Sequence, residues 1–545
     1  MNDLCAEDAA AEAPLLTIAG LTVSLPIYGD RPEALSDIEL VIHPGETLCL
    51  VGESGSGKSV IGQAILGMLP YALRVKSGLL KFDGLVMPPQ RDLAFGAIRS
   101  AQISMIFQDA AACLNPVRTI GSQLSEILAV HDVIRRDRMA RVLEVLQDVA
   151  LPEPERMARS YPHELSGGQA QRAVIAAALL LKPKLLIADE PTTALDVTTQ
   201  SEILSLLDHL KKIRGLSMLF ITHDFGVVAE IADRVAVMRD GHLVETGNTR
   251  DVLSQPQHPY TQKLIAATRP KPQQHNSGGD IPILEAHGIN LIYRSSFLSK
   301  RKVLRAVKNV SLRVDRGKTV AVVGESGSGK SSLAKALLRL EDIESGSITF
   351  KGTEISDLKG ASLREMRRSF QVVLQDPFSA LNPRQTILSA VSEGPIMHGV
   401  SVKDAQKQAT DMIKLVGLSD QAGERYPQEF SGGQRQRICI ARALVLTPDL
   451  LIADEAVSAL DVSIQAQILD LFADMQKRFG FAMLFITHDL VVARAIADDI
   501  LVMKSGEIVE KGPSGQILEA PKHPYTAKLL AAAPGSDLFA QGISP

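Results

Sequence analysis

The stretch Val51-Gly-Glu-Ser-Gly-Ser-Gly-Lys-Ser59 decides the fold of this chain, and it occurs again as Val323-Gly-Glu-Ser-Gly-Ser-Gly-Lys-Ser331. Each copy follows a run of apolar residues, Thr47 to Val51 or Thr319 to Val323, and precedes a helix-prone segment. A buried strand that leads through Gly-x-x-x-x-Gly-Lys-Ser into a helix is the context of a phosphate-binding loop. The sequence therefore predicts two nucleotide sites. A ligand-free glycine-rich turn is the alternative, and the repetition disfavours it.

The residue types of this loop fit a nucleoside triphosphate and Mg²⁺. Glycines let backbone N–H groups wrap the phosphates, and the N-terminus of the following helix adds positive potential. Lys58 and Lys330 are predicted to reach the β- and γ-phosphates, and Ser59 and Ser331 to bind the metal ion. The predicted ATP-binding residues of the loops are Gly52, Glu53, Ser54, Gly55, Ser56, Gly57, Lys58 and Ser59, and Gly324, Glu325, Ser326, Gly327, Ser328, Gly329, Lys330 and Ser331.

Further matches indicate that a whole domain is duplicated. The two lysines are 272 positions apart, and the later pairs are each 265 positions apart: Ser166 and Ser431, Glu190 and Glu455, His223 and His488, Tyr260 and Tyr525. We predict domains at 14–268 and 284–535, joined by a polar linker rich in Pro and Gly at 269–283. Short β-branched runs alternate with helical segments, which predicts an α/β fold with a mainly parallel sheet covered by helices.

Composition narrows the class of protein. The 545 residues are 45% hydrophobic and 22% charged with a net charge of -4, so no broad basic surface suggests nucleic acid as a partner. The N-terminal stretch Met1–Ala13 has four acidic residues and no Lys or Arg, unlike a signal peptide. The longest apolar stretch, Ala173–Leu181, is too short to span a membrane and is predicted to be a buried helix. Cys49 lies in an apolar run and is predicted to be core.

A second repeated element ends in two carboxylates. Leu-Leu-Ile-Ala-Asp189-Glu190 recurs as Leu-Leu-Ile-Ala-Asp454-Glu455. Asp189 and Asp454 are predicted to hold hydrated Mg²⁺. Because strand residues alternate in direction, Glu190 and Glu455 point elsewhere and are predicted to polarise the water that attacks the γ-phosphate. The alternative is an acidic strand end that faces solvent.

A third element, Leu165-Ser-Gly-Gly-Gln169, recurs as Phe430-Ser-Gly-Gly-Gln434. Alone it is equally well explained as a helix N-cap. Because it lies between the phosphate loop and the acidic strand, this element resembles the signature motif of the ABC ATPase family. The resemblance extends from about Leu15 to about Pro534. It implies two tandem P-loop NTPase domains, each with a RecA-like core, an antiparallel β subdomain and a helical signature subdomain. It also implies ATP contacts for Ser166, Gly167, Gly168, Gln169, Ser431, Gly432, Gly433 and Gln434.

The resemblance assigns further residues. Gln108 and Gln375 look like the glutamines that touch Mg²⁺ and the attacking water. The segments Ala194-Leu-Asp196 and Ala459-Leu-Asp461 look like D-loops, which couple one site to the other. His223 and His488 look like the histidines that contact the γ-phosphate, although a lone histidine at such a place is more often structural.

Two parts of the family pattern are altered. Tyr293 is a candidate for the adenine-stacking residue, whereas the first copy has Leu25 in that register and Tyr28 is predicted to substitute. Pro191-Thr192 follows the first catalytic glutamate, but Ala456-Val457 follows the second. We expect both sites to hydrolyse ATP. In the resembled family each site is composite, so Lys58 is expected to work with the second signature motif and Lys330 with the first.

Two motifs point to a transporter group. Leu-Asn-Pro recurs at 114–116 and 381–383, and His-Pro-Tyr-Thr recurs at 258–261 and 523–526. As physical signals they indicate turns, with His-Pro breaking the chain before a helix. As a resemblance they are similar to the peptide and nickel group of importer ATPases, and the fused pair is similar to glutathione-import and microcin C-type ATPases.

This resemblance implies an ATPase with ATP and Mg²⁺ as cofactors. It also implies two membrane permeases and a periplasmic or surface solute-binding protein as partners, with the chain peripheral on the cytoplasmic face of the inner membrane. Peptide is the favoured solute, while nickel, opines, unusual sugars and antibiotic peptides remain open. The alternative is a soluble ABC ATPase that acts on ribosomes, although such relatives have a long charged helical linker.

Overall fold

A computed structural model describes residues 13–26, 31–87, 96–192, 195–268, 281–294, 303–458 and 460–533. They fall into two units, one formed mainly by residues before 266 and the other mainly by residues 266–533. Most of the predicted linker and the C-terminal end lie outside the described residues. The first described strand after the linker begins at Pro282, two residues before the predicted start of the second domain. The domain boundaries therefore stay predictions.

The first unit contains two sheets and their covering helices. Its described strands are β1 (Leu16–Ser24), β2 (Glu33–Ile42), β3 (Thr47–Val51), β4 (Arg74–Phe82), β5 (Leu85–Val86), β6 (Ile103–Ile106), β7 (Leu185–Asp189), β8 (Ser217–Thr222), β9 (Arg234–Arg239) and β10 (His242–Asn248). Its described helices are α1 (Lys58–Leu66), α2 (Gly96–Ala101), α3 (Ala110–Cys113), α4 (Ile120–Val130), α5 (Arg135–Asp148), α6 (Pro154–Arg159), α7 (Gly167–Leu179), α8 (Val197–Arg214), α9 (Phe225–Ile231), α10 (Thr249–Ser254) and α11 (Pro259–Ala267).

The larger sheet of this unit has the order β10-β9-β3-β8-β7-β6. Strands β9, β3, β8, β7 and β6 are parallel, and β10 pairs antiparallel with β9. All residues of β3, β7 and β8 are buried, as expected for parallel strands with both faces covered. Cys49 is fully buried in β3, which confirms its predicted place in the core. The predicted mainly parallel α/β sheet is confirmed.

The smaller sheet and a group of helices complete the first unit. The order β2-β1-β4-β5 is antiparallel throughout. Helices α4, α5 and α7 pack through buried residues such as Leu128, Leu146 and Ile175 into one hydrophobic cluster. Helix α7 ends at Leu179, so most of the apolar stretch predicted as a buried helix forms one. No helix within the described ranges is long and apolar enough to cross a membrane.

The second unit repeats this architecture. Its described strands are β11 (Pro282–Arg294), β12 (Val303–Asp315), β13 (Thr319–Val323), β14 (Ser345–Phe350), β15 (Thr353–Glu354), β16 (Phe370–Val373), β17 (Leu450–Asp454), β18 (Ala482–Thr487), β19 (Asp499–Lys504) and β20 (Glu507–Pro513). Its described helices are α12 (Lys330–Leu337), α13 (Gly360–Met366), α14 (Pro377–Ala380), α15 (Ile387–Met397), α16 (Val402–Leu415), α17 (Gly432–Leu444), α18 (Val462–Phe479), α19 (Leu490–Ile496), α20 (Ser514–Glu519) and α21 (Pro524–Ala531).

The sheets of the second unit have the orders β12-β11-β14-β15 and β16-β17-β18-β13-β19-β20. In the larger sheet β18 is wholly buried, and its Phe485 packs edge-to-face against Phe472 of α18 with ring centroids 6.1 Å apart. Both rings are fully buried. Such aromatic pairs contribute packing energy beyond the area they bury, so this contact joins the sheet to its covering helix.

We predict that Phe485→Ala lowers the free energy of unfolding by about 3–5 kcal/mol, because it empties a fully buried aromatic site. Urea-induced unfolding followed by circular dichroism measures the change. Leu304→Ala is the control, since Leu304 is 64% exposed and its loss is expected to change stability by less than about 0.5 kcal/mol. Equal losses in the two variants would contradict the assigned core.

Candidate nucleotide site in each unit

The sheet order brings three functional segments to one edge of each unit. Strand β3 lies between β8 and β9, and β7 lies on the other side of β8. Because these strands are parallel, their carboxyl ends meet at the same edge, where ligands bind in open α/β sheets. The phosphate loop follows β3, Glu190 follows β7, and His223 follows β8. The second unit places the loop after β13, Glu455 after β17 and His488 after β18.

The first glycine of each loop is required by a close approach of two backbone segments. A Cβ atom on Gly52 would lie 2.2 Å from the carbonyl oxygen of Met238, and one on Gly324 would lie 2.2 Å from that of Met503. Real Cβ atoms do not approach backbone so closely. The last glycine of each loop, Gly57 or Gly329, has a φ of 107° or 105°, in the left-handed region that favours glycine.

The loop lysine is buried and is held by the loop itself. The Lys58 Nζ donates to the carbonyl oxygens of Gly52 at 2.8 Å and Glu53 at 2.9 Å. The Lys330 Nζ donates to the equivalent carbonyls of the second loop at 2.7 and 2.9 Å. A buried charge requires such partners. Burial lowers the pKa of Lys330, and the nearby carboxylates of Glu455 and Asp454 oppose this shift. Each loop thus presents an ordered ammonium group.

Two of the three predicted metal-binding residues of each unit, the loop serine and the aspartate, meet beside this lysine. The Ser59 Oγ donates to the Asp189 carboxylate at 3.0 Å, and the Ser331 Oγ donates to the Asp454 carboxylate at 3.1 Å. Burial raises the pKa of both aspartates, and the serine hydrogen bonds partly oppose it. The hydroxyl and carboxylate oxygens form an oxygen donor set of the kind that Mg²⁺ prefers.

The first catalytic-glutamate candidate, Glu190, sits on strained backbone. Its φ is 46°, an uncommon value for a residue with a side chain, and its N–H donates to the Ile221 carbonyl at 2.9 Å. The carboxylate accepts from the Gln108 Nε2 at 2.8 Å and contacts the His223 Nδ1 at 3.2 Å. Strand β7 therefore delivers Glu190 to the two residues that sequence analysis assigned to the same reaction.

The second copy builds the same cluster around Glu455. Its φ is 48°, and its N–H donates to the Ile486 carbonyl at 2.9 Å. The carboxylate accepts from the Gln375 Nε2 at 2.7 Å, lies 3.8 Å from the His488 Nδ1, and lies 4.0 Å from the Lys330 Nζ. Burial alone would raise the pKa of Glu455, but His488 and Lys330 outweigh it and the net direction is down.

The altered residues Ala456 and Val457 leave this geometry intact. Both are buried, 2% exposed each, and the φ of the preceding glutamate differs by only two degrees from its counterpart. The Glu455 carbonyl accepts from the N–H and the Oγ of Ser458 at 3.2 and 3.0 Å, which holds the turn. Replacing Pro-Thr by Ala-Val therefore changes the side chains behind the glutamate and leaves its own position unchanged.

The signature segments are helix N-caps, as one of the two explanations from sequence predicted. The Ser166 side chain accepts from the Gln169 N–H, and the Gln169 side chain accepts from the Ser166 N–H, at 3.3 and 3.0 Å. Ser431 and Gln434 form the same reciprocal pair at 3.4 and 3.0 Å. The capping serines Ser166 and Ser431 are exposed at the start of α7 and α17, and the two glycines after each are at least partly exposed.

The remaining predicted residues include three outside the described ranges and the second adenine-stacking candidate. Tyr28, Ala194 and Ala459 lie outside the described residues. Tyr293 lies on β11, is partly buried and packs against the hydrophobic cluster of its sheet. Its role in stacking on adenine stays a prediction.

Two features of the site were missed by sequence reasoning. The left-handed backbone at Glu190 and Glu455 has no sequence signal, since neither residue is a glycine or an asparagine. The phenol groups of Tyr260 and Tyr525 reach the phosphate loops, where each hydroxyl accepts from the N–H of Glu53 or Glu325 at 3.2 or 3.3 Å. The His-Pro-Tyr-Thr motif was visible in the sequence as a turn before a helix and as a resemblance to an importer group, but neither interpretation placed its tyrosine at the phosphate loop.

Comparison with known proteins agrees with this arrangement. The family described as "ABC transporter" matches residues 35–193 and 307–458. The family described as "Oligopeptide/dipeptide transporter, C-terminal region" matches residues 244–288 and 509–539. Both families therefore match once in each half of the chain.

Curated relatives match nearly the full length. The chain is 45% identical to "Peptidoglycan transport ATP-binding protein YejF" of Agrobacterium fabrum, over 95% of this chain and 96% of that protein. It is 42% identical to "Glutathione import ATP-binding protein GsiA" of Pectobacterium atrosepticum, over 96% of this chain and 90% of that protein. It is also 42% identical to the protein of the same name from Escherichia coli, over 95% of this chain and 89% of that protein. A solved structure of cbiO1 from Clostridium perfringens is 30% identical, with a TM-score of 0.40, over 45% of this chain and 92% of that one.

Fold and site define a P-loop ATPase with two copies of the catalytic fold. The chain belongs to the ABC transporter family, and it is the ATP-hydrolysing, ATP-binding subunit of an importer with both cassettes on one polypeptide. The predicted family and fold class are confirmed.

We predict that Gly52→Ala combined with Gly324→Ala weakens ATP binding about 5- to 100-fold, because each added methyl group would lie 2.2 Å from backbone and the loop must shift. Titration with a fluorescent ATP analogue measures the affinity, and circular dichroism checks that the fold is retained.

Gly515→Ala is the matched control for this pair, since a Cβ there meets nothing within 4 Å. Unchanged ATP affinity in the double variant would show that the loop does not depend on these two close approaches.

Proposed function

We propose that this chain energises the import of peptides or of solutes that contain a peptide. The observation that carries the proposal is the oligopeptide/dipeptide transporter region, which matches after the ATPase region in each half of the chain. The names of the relatives point the same way, since glutathione is a tripeptide and peptidoglycan carries peptide stems. The solute itself would be selected by other subunits.

The proposed roles follow from the contacts in each site. Lys58 and Lys330 neutralise phosphate charge, and the backbone of each loop cradles the phosphates. Glu190 and Glu455 act as general bases toward the attacking water. Gln108 and His223, or Gln375 and His488, orient the glutamate from two sides. Phosphoryl transfer depends mainly on such positioning and on charge neutralisation.

The oxygen donors beside each loop fit Mg²⁺. Ser59 with Asp189, and Ser331 with Asp454, would hold the ion. Gln108 and Gln375 hydrogen-bond to the glutamate that follows each aspartate. When bound, Mg²⁺ would offset negative charge on the β- and γ-phosphates. Burial already raises the pKa of both aspartates, which marks these carboxylates as costly to leave ionised without a counter-charge.

We propose two membrane permeases and a solute-binding protein as partners, with the chain peripheral on the cytoplasmic face of the inner membrane. Exposed apolar side chains in the segments that contain or follow Gln108 and Gln375 support a protein contact there. Phe107 is 39% exposed, Val117 is 78% exposed and Phe378 is 65% exposed. Exposed apolar groups beside a catalytic glutamine are suited to bind a partner and to transmit its presence to the site.

We predict that Glu190→Gln and Glu455→Gln each reduce ATP hydrolysis, and that the double variant loses at least about 100-fold of the rate, because each site loses its general base. Steady-state phosphate release measures the rates, and ATP binding is expected to persist because the amide is the same size. Full activity in Glu455→Gln together with complete loss in Glu190→Gln would show that the second site is degenerate.

We predict that the tagged chain co-purifies with two integral membrane proteins, and that a cognate binding protein loaded with peptide stimulates its ATPase. Val117→Asp should weaken this association, because it places a charge on an exposed apolar side chain in the segment that follows Gln108. Val303→Asp is the control, on an exposed valine of β12. Co-purification of ribosomes without any permease would overturn the proposed partners.

A further inference from the structure

The His-Pro-Tyr-Thr segment of the first unit is anchored on the sheet that carries the site. The Glu245 carboxylate of β10 accepts from the N–H groups of Gln257 and His258 at 2.8 and 3.1 Å. The His258 Nδ1 then accepts from the Tyr260 N–H at 3.2 Å, next to Pro259 at the start of α11. The Glu245 carboxylate, the His258 side chain and Pro259 together fix the position of Tyr260 at the start of α11.

Tyr260 points from this anchored helix to the phosphate loop. Its side chain is 7% exposed, with the Arg239 guanidinium 5.1 Å from the ring centroid. Its hydroxyl accepts from the Glu53 N–H at 3.2 Å and also hydrogen-bonds with the Glu53 side chain. Burial raises the pKa of this phenol to about 12, so the hydroxyl stays neutral and keeps its proton for the carboxylate at any physiological pH.

The second unit repeats every step of this arrangement. The Glu510 carboxylate accepts from the N–H groups of Lys522 and His523 at 2.7 and 3.1 Å, and the His523 Nδ1 accepts from the Tyr525 N–H at 3.1 Å.

Tyr525 then makes the same contacts as its counterpart. It is 6% exposed, its hydroxyl accepts from the Glu325 N–H at 3.3 Å, and the Lys504 Nζ lies 4.6 Å from its ring centroid. Burial raises its pKa to about 12. The cation beside the ring differs between the copies, Arg in one and Lys in the other, whereas the contact from hydroxyl to loop is the same.

The residue that each tyrosine holds is also the residue that holds the loop lysine. The Glu53 carbonyl accepts from the Lys58 Nζ at 2.9 Å, and the Glu325 carbonyl accepts from the Lys330 Nζ at 2.9 Å. A displacement of the Glu53 or Glu325 backbone would therefore move a carbonyl that positions the ammonium group. The tyrosine, the loop glutamate and the lysine form one chain of contacts in each unit.

We propose that Tyr260 and Tyr525 are positioning residues of the two ATP sites, which set the place of the phosphate-binding lysine through the backbone of Glu53 and Glu325. The His-Pro-Tyr-Thr segment is thus a support of the phosphate loop as well as a turn before a helix. This inference rests on the proposed role of Lys58 and Lys330 in binding phosphate.

The test is the full chain with Tyr260→Phe and Tyr525→Phe together, so that both sites change alike. Phenylalanine keeps the buried ring and removes only the hydroxyl. We expect the dissociation constant and the KM for ATP to rise about three- to tenfold, and kcat to change less than about twofold, as for a loss of binding common to ground and transition states. A fluorescent ATP analogue and steady-state phosphate release provide the two readouts.

Tyr71→Phe is the matched control, because Tyr71 is 81% exposed, and it should leave both constants unchanged. A lower melting temperature with unchanged ATP affinity in the double variant would assign the tyrosines a merely structural role and overturn the inference. The double variant Lys58→Ala with Lys330→Ala distinguishes the phosphate-binding role of the lysines from the positioning role of the tyrosines. Retained affinity in that pair would refute the proposed site itself, whereas lost affinity there and wild-type affinity in the tyrosine pair would refute only the positioning role.

Discussion

The buried ammonium group of each phosphate loop is the constraint on which the rest of the site depends. Lys58 and Lys330 are 5% and 4% exposed, and each donates to two carbonyls of its own loop. A charge at this depth is tolerated only when its partners are in place. The loop must therefore curl back over the lysine, and this requires glycine where the backbone passes close to the carbonyl of Met238 or Met503.

The parallel sheet supplies the other half of the site from the same edge. Strand order brings Asp189 and Glu190, or Asp454 and Glu455, to the edge where the loop lies, with one strand between theirs and the strand that leads into the loop. One carboxylate then faces the loop serine and the next faces the glutamine and the histidine. The left-handed backbone at Glu190 and Glu455 lets the two neighbouring carboxylates point to different partners. The same strained conformation occurs in both units, as is common for residues at functional sites. The Ala456-Val457 substitution does not disturb it.

Much of this could be predicted from sequence, for identifiable physical reasons. Strands such as β3 and β13 were predicted with the bounds they have, because buried parallel strands are uniformly apolar and the loop fixes where they end. The acidic pairs were predicted because a repeated apolar strand ends in two carboxylates. The φ of Glu190 and the reach of Tyr260 were not, because the first depends on the hydrogen bond to Ile221 and the second on a contact between positions 207 residues apart. Tertiary contacts of this kind leave no local pattern.

Each unit builds the phosphate loop, the metal-binding pair and the glutamate cluster of an ATP site from the same set of contacts. The most direct measurement is the number of ATP molecules bound per chain, by isothermal titration calorimetry with Mg²⁺ on the full-length Glu190→Gln/Glu455→Gln variant, where hydrolysis does not consume the ligand. The geometry of both loops predicts two ATP molecules per chain. One ATP per chain would contradict the equivalence of the two sites, since it would show that equal contacts in the two units do not produce equal binding.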